Sequence, residues 1–290
     1  MKNCSIIDLC TPLLLNIQAY RVRFVETELP KNKRMSISEY GYNPNSKTRG
    51  RYNKPGEHVL YTSTNPSTSY NETIPFNSLS SPFYLSVWRK RDEEQTCSCF
   101  LSSFESSSEN IRSNAGKIKM EYVKNLNQEK KIKVRILGEI LEKKYLQDDE
   151  DKYKESSELA SCIFKYADCI ISPSAKEPEE INITFNKEFT DNSLILDRVY
   201  FCSPFDIQQN SLVFRVDKIG LVIDNRVVWH KWHVKENELA DMNSNRLVHY
   251  INNTGSFIYP NINKQINDWH CGYYNNKCVK FKIEMEVEND

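Results

Sequence analysis

An α+β chain is what the sequence predicts, and three observations carry the prediction. Short runs rich in β-branched and aromatic residues recur along the 290 residues, most of them bounded by Pro, Gly, Asn or Asp. Two longer stretches in the middle repeat their apolar residues at helical spacing. Beyond residue 190 the chain turns almost wholly to strand-like sequence. A chain of this length can bury a large core in one domain, or in a main domain and a smaller unit.

In order, residues 1–16 read as a short lead-in, with Leu13 to Leu15 covering an edge of the core. Ile17 to Phe24 alternates as a strand, with Tyr20 and Val22 on one face and Arg21 and Arg23 on the other. Two arginines on one face need an acceptor, which is either solvent or a phosphate gripped by their planar forks of donors. Leu29 to Lys47 is polar and aperiodic and reads as a loop. Pro55-Gly56 closes a turn, His58 to Thr62 is a short strand, and Asn65 caps a helix with Pro66 in its first turn. Pro82 to Arg89 is a strand, and Cys97 to Leu101 a further one. Tyr122 to Tyr145 shows an apolar helical face at 132, 136, 137, 140 and 141 with Lys and Glu opposite. The acidic run Asp148 to Asp151 breaks that helix and supplies N-terminal charge to the next, Lys152 to Tyr166, whose stripe is Leu159, Ala160, Ile163 and Phe164. Asp168 to Ser172 and Glu180 to Phe185 are strands. In the tail, Arg198 to Cys202, Ser211 to Val216, Ile219 to Ile223, Arg226 to Val234 and Val279 to Val287 read as strands, with Asp224-Asn225 as a tight hairpin turn. This tail is either a separate subdomain or extra strands on the main sheet.

Composition excludes more than it selects. Lys+Arg and Asp+Glu both total 39, so no net basic field points to nucleic acid. Nine irregularly spaced cysteines do not make a disulfide framework and read as reduced thiols, which points to the cytoplasm. The apolar residues near the N-terminus are interrupted by Asp8 and Pro12, too short a run for a signal peptide or a membrane span. Cys97 and Cys99 lack a second close pair for a zinc knuckle. His230, His233, Cys271 and Cys278 have the ligand chemistry, but in a strand 230 and 233 point to opposite faces, so no metal is expected.

The most specific stretch is Arg49 to Glu72. A loop bearing Arg51, a strand bearing Tyr61 and a helix bearing Glu72 two turns in can bring a cation, an aromatic ring and a carboxylate together. That set suits a ligand with an anionic diphosphate, a flat ring and an electron-poor ribose. The plain alternative is a surface arginine, a core tyrosine and a solvated glutamate.

Gly50-Arg51-Tyr52-Asn53, Pro55-Gly56, Tyr61 and Glu72, spaced ten residues from Arg51 to Tyr61 and eleven from Tyr61 to Glu72, resemble the RES domain family, named for its Arg, Glu and Ser. Two flanking matches occur in the same order. Tyr20-Arg21-Val22-Arg23 is similar to the family's opening strand, and Asp168 to Ser174, followed by Asn182-Ile183-Thr184-Phe185, to its late strand ending in Ser. The likeness spans about residues 17–190, leaving 191–290 as a β-rich extension. It implies an ADP-ribosyltransferase-like split antiparallel sheet core with flanking helices. It also implies an enzyme that consumes NAD+ as substrate, with no other cofactor, often as the toxin paired with an antitoxin protein. Carried onto this chain, Arg51, Tyr61, Glu72 and Ser174 are the expected catalytic residues, and Arg21, Tyr20, Asn53 and Asn182 the expected substrate-binding ones.

The chemistry agrees with those residue types. Nicotinamide is already a cationic leaving group, so its departure needs no general acid. The oxocarbenium-like transition state is one a carboxylate stabilises. Water as acceptor gives NAD glycohydrolysis and phosphate gives phosphorolysis, the two expected outcomes. The alternatives are protein mono-ADP-ribosylation, or a catalytically idle interaction module using the tail.

Overall fold

In the computed structural model of the protein, the residues described are 10–13, 18–25, 37–41, 47–73, 81–92, 95–101, 124, 126–133, 136, 153–177, 180–208, 211–237, 270–274 and 277–287. Side chains are not described at 38, 204–215, 232–237, 270–284 and 286. Most of the loop expected over 29–47, most of the helix expected over 122–145 and the acidic run 148–151 lie outside these residues.

The chain divides into two compact units. The first comprises Met1–Val22, Ile37–Ile74 and Ser86–Asp197; the second comprises Arg23–Ser36, Pro75–Leu85 and Arg198–Asp290. The expected segmentation at 16/17 and 190/191 therefore differs from the observed one. Residues 1–16 and 191–197 group with the first unit, and two insertions from the expected first domain group with the second. Among the described residues both units are built on mostly antiparallel β-structure with few helices, a mixed α and β chain as expected.

Strands of the first unit are β1 (Cys10–Leu13), β2 (Ala19–Phe24, of which 19–22 belong to it), β3 (Val59–Ser63), β5 (Thr96–Phe100), β6 (Cys169–Pro173) and β7 (Ile181–Asn186), with β4 (Phe83–Lys90) also divided between the units. Their order is β1-β5-β6-β7-β3-β2. β5 and β6 run parallel, and the other described pairs of this unit are antiparallel. The parallel pair follows from the crossover between them, which carries helix α2 (Tyr153–Ile163). β6 is buried along its whole length and β7 up to Phe185, which fits their apolar runs Ile170-Ile171 and Ile181-x-Ile183-x-Phe185. β1 corrects the lead-in: Cys10 pairs with Cys99 and Leu13 with Thr96, and Leu13 is fully buried.

Helix α1 (Pro66–Thr73) starts where expected, with the Asn65 side chain accepting from the Ser67 N–H at 2.9 Å. It is a polar helix whose buried residues are Thr68, Ser69 and Tyr70. α2 buries Ala160 and Ile163, as its stripe predicts, but also Ser156 and Ser157. Ile132 and Ile136, from the expected helical face, are largely exposed. Helix α3 (Lys187–Ser193) has no counterpart in the sequence reading; Asn186 caps it, accepting from the Phe189 N–H at 2.7 Å.

The second unit carries β8 (Leu194–Gln208, of which 198–208 belong to it), β9 (Ser211–Ile223), β10 (Arg226–Asn237), β11 (His270–Tyr274) and β12 (Lys277–Val287), in the order β8-β9-β10-β12-β11. Asp224 and Asn225 both have positive φ, 49° and 59°, the left-handed pair a two-residue hairpin turn requires. The two strands expected over 211–216 and 219–223 are one. Asp217 does not break it, because its carboxylate accepts from the Ser203 hydroxyl on β8, beside a register shift between Phe201 and Cys202.

Candidate active site

The site lies within the first unit and is built on β3, α1, β6 and β7. β3 sits between β2 and β7, with Tyr61 opposite Thr184 and Ser63 opposite Asn182. Asn182 in turn lies opposite Ser172 on β6. Pro173 closes β6, and Ser174 opens the turn that follows, its N–H bonded to the Glu180 carbonyl at 2.9 Å. The helix that Asn65 and Pro66 start then places Glu72 over this end of the sheet.

Glu72 is the centre. Its Oε1 accepts from the Ser174 hydroxyl, the Ala175 N–H at 2.7 Å and the Asn182 amide at 3.0 Å. Its Oε2 accepts from the Tyr61 hydroxyl at 3.1 Å and lies 3.9 Å from Arg51 Nη1. Four donors and a cation match a group that only accepts. Side-chain exposure is 6 % for Glu72 and 10 % for Arg51, so water screens this pair far less than a surface pair.

Tyr61 is held from three sides. Asn182 donates to its hydroxyl at 2.6 Å, and Tyr52 stacks on its ring with centroids 5.7 Å apart. Arg21 Nη1 donates to its backbone carbonyl at 3.0 Å. Burial, then the Glu72 charge and Tyr52, push the Tyr61 phenol well above its ordinary pKa, so it stays a donor. Burial also raises Tyr52, against the pull of Arg51. For Arg51, burial works against the charge, but Tyr52, Tyr61, Glu72 and Tyr153 outweigh it and hold the guanidinium above its ordinary range.

The polar partners are themselves oriented. Ser63 donates to Asn182 Oδ1, which turns the Asn182 NH2 toward Tyr61 and Glu72. The Tyr52 hydroxyl meets Ser172 Oγ at 2.5 Å. The loop bearing Arg51 is clasped by α2 through residues four apart on one helix face. Tyr153 lies 5.8 Å from the Arg51 guanidinium, Ser157 accepts from Arg49 at 2.6 Å, and the Ser161 hydroxyl donates to the Glu57 carboxylate.

Arg51, Tyr61, Glu72, Ser174 and Asn182 are thus brought together. Arg21 supports the Tyr61 backbone from beside the cluster. Tyr20 and Asn53 are not part of it: the Tyr20 hydroxyl donates to Gln18, and Asn53 shapes its own loop through Gly50, Thr48 and Lys54. Tyr52, Ser63, Tyr153 and the Ala175 N–H are contributors that the sequence reading did not single out; Tyr52 stood beside Arg51 in the quoted motif, whereas the others carry no pattern. Elsewhere, His230 is buried with Nδ1 3.0 Å from the Val228 carbonyl, while the side chains of His233, Cys271 and Cys278 lie outside the described residues. Among the described residues no group of three or more His, Cys, Asp or Glu is arranged to hold a metal, and no helix is long and apolar enough to cross a membrane.

No protein-family model and no curated protein matches this chain.

Proposed function

We propose that the chain cleaves the nicotinamide–ribose bond of NAD+, passing the ADP-ribosyl group to water or phosphate. The observation that carries this reading is the convergence of Tyr61, Ser174, Asn182 and Arg51 on the Glu72 carboxylate. Together with the motif spacing, it supports an ADP-ribosyltransferase-like donor site.

The C–N bond breaks with its electron pair leaving on nicotinamide, which departs neutral. Positive charge then builds on the ribose, and Glu72 faces it. The donors around Glu72 are already aimed, so little reorganisation is needed as that charge develops. Arg51 takes the diphosphate, Tyr61 packs on the ribose or nicotinamide, and Ser174 orients the nicotinamide end. Water or phosphate then adds to the ribose carbon and loses a proton. In a cell this activity depletes NAD+ and arrests growth, which gives a partner antitoxin a purpose.

The test incubates purified protein with NAD+, with and without phosphate, and follows nicotinamide release by chromatography. Wild-type protein releases nicotinamide and Glu72→Ala does not. Intact NAD+ in all arms, including one with candidate protein acceptors, would falsify the reading. Transfer of label to protein alone makes the chain a protein mono-ADP-ribosyltransferase instead.

A further inference from the structure

Helix α1 is unusual in how it is held. It has eight residues, and its buried residues are Thr68, Ser69 and the single large ring of Tyr70. So short a helix does not stand on propensity alone, and its docking rests heavily on side-chain hydrogen bonds. Ser69 accepts from the Val22 N–H at 2.9 Å, and Glu72 takes the four donors described above. A further tie is Glu177. Its Oε2 accepts from the Thr68 hydroxyl and its Oε1 from the Asn71 amide at 2.5 Å. The Glu177 N–H also donates to Ser174 Oγ at 3.0 Å, next to the Lys176 N–H at 3.2 Å.

The 174–177 turn therefore meets α1 twice. Ser174 and Ala175 grip Glu72 near the end of the helix, and Glu177 grips Thr68, about one turn before it, and its neighbour Asn71. The first grip runs through the carboxylate that faces substrate, so any ligand engaging Glu72 exchanges some of those bonds. The second does not touch that carboxylate.

We infer that Glu177 is a positioning residue for the proposed NAD+ cleavage, a clasp that keeps α1 and the Ser174 turn in register while Glu72 is engaged with its ligand. The inference rests on the proposed function for its catalytic consequence and on the hydrogen bonds alone for its structural one. No substrate contact is assigned to Glu177.

The experiment uses the full chain with Glu177→Ala, Glu177→Gln and Thr68→Val. Backbone amide exchange is read in the 174–177 turn and, as a reference, in β3 and β7. Steady-state NAD+ cleavage is measured alongside. Losing two hydrogen bonds to a charged acceptor is expected to speed exchange of the Ala175, Lys176 and Glu177 amides about tenfold or more in Glu177→Ala. β3 and β7 are expected to remain as in wild type. kcat falls roughly tenfold with KM within about twofold, the signature of lost alignment. Glu177→Gln recovers most of both, because its oxygen still accepts and the Asn71 amide can turn to meet its NH2. Thr68→Val, which removes one of the two bonds with little change of shape, gives an intermediate local effect and keeps the question answerable if Glu177→Ala does not fold. Unchanged exchange in the turn overturns the inference, as does acceleration spread equally over β3 and β7, which marks a general structural role. Acceleration confined to the turn in a protein that never cleaves NAD+ upholds the clasp and refutes the proposed function.

Discussion

Asn182→Asp changes one donor into an acceptor without changing shape, and it probes the site without reference to any substrate. The wild-type amide gives one hydrogen bond to Tyr61 at 2.6 Å and one to Glu72 at 3.0 Å. After substitution, two carboxyl groups face each other across the 3.0 Å that separates Asn182 Nδ2 from Glu72 Oε1. At 3.0 Å and an effective dielectric of about 20, their repulsion is at most about 5.5 kcal/mol. The pair escapes part of that by holding one proton between them, as adjacent carboxylates do. The expected penalty at neutral pH is therefore about 3–5 kcal/mol, including the two lost bonds. The sign with pH follows from linkage. The shared proton raises a folded-state pKa above the unfolded carboxyl value of about 4, so the folded variant binds more protons than the unfolded one above that value. The penalty thus shrinks as pH falls toward about 4, by up to about 1.4 kcal/mol per unit. Urea unfolding of both proteins from about pH 5 to 8, followed by far-UV circular dichroism, reads it directly. A penalty below about 1 kcal/mol that does not change with pH would show that Asn182 and Glu72 are not in contact, and the description of the site would fall with it.

Arg51→Lys keeps the charge but loses the planar fork and the guanidinium face toward Tyr153; KM for NAD+ is expected to rise about tenfold with a smaller change in kcat, and equal kinetics would remove Arg51 from diphosphate binding. Burial pushes the Cys169 thiol from 9.0 up to about 12, so its contribution to stability is complete below pH 9 and is lost as pH rises through about 12. Cys169→Ala should flatten the alkaline fall in unfolding free energy, read by urea denaturation, by up to about 1.4 kcal/mol per pH unit, and parallel wild-type and variant curves above pH 9 would refute that assignment.

What was legible in the sequence was what local chemistry decides. Asn65-Pro66 starts α1, Asp224-Asn225 turns β9 into β10, and the aromatic and aliphatic stretch Phe83–Trp88, interrupted only by Ser86, is a strand buried through those six residues. The Arg51, Tyr61 and Glu72 spacing was legible for the same reason, since one loop, one strand and one helix carry all three. β1 was not, because four residues acquire a strand's identity only from the β5 edge they pair with. The continuity of β9 through Asp217 depends on Ser203, a partner fourteen residues away. α3 had a readable signal in Asn186, three residues before Phe189, which a search for apolar stripes passes over in so short a helix. Ser63 and Tyr153 act through partners more than a hundred residues distant, and no spacing rule reaches that far.

The energetic logic of the cluster separates it from ordinary packing. Replacing a buried polar group of this kind by apolar side chains of similar volume is often neutral or stabilising, so a carboxylate with five polar neighbours is not the simplest way to hold four elements together. The donors also run in one direction: Ser63 donates to Asn182, Asn182 to Tyr61, and Tyr61 to Glu72. Each bond polarises the next toward the carboxylate, and each fixes the rotamer of the one after it. Arg51 adds a counter-charge at 3.9 Å, too long for a hydrogen bond, so it tunes the site by field rather than by closing the shell. A purely structural carboxylate needs donors for its lone pairs and nothing more. This one has its donors pre-aimed and a cation set slightly apart, which couples to the carboxylate through its field across 3.9 Å.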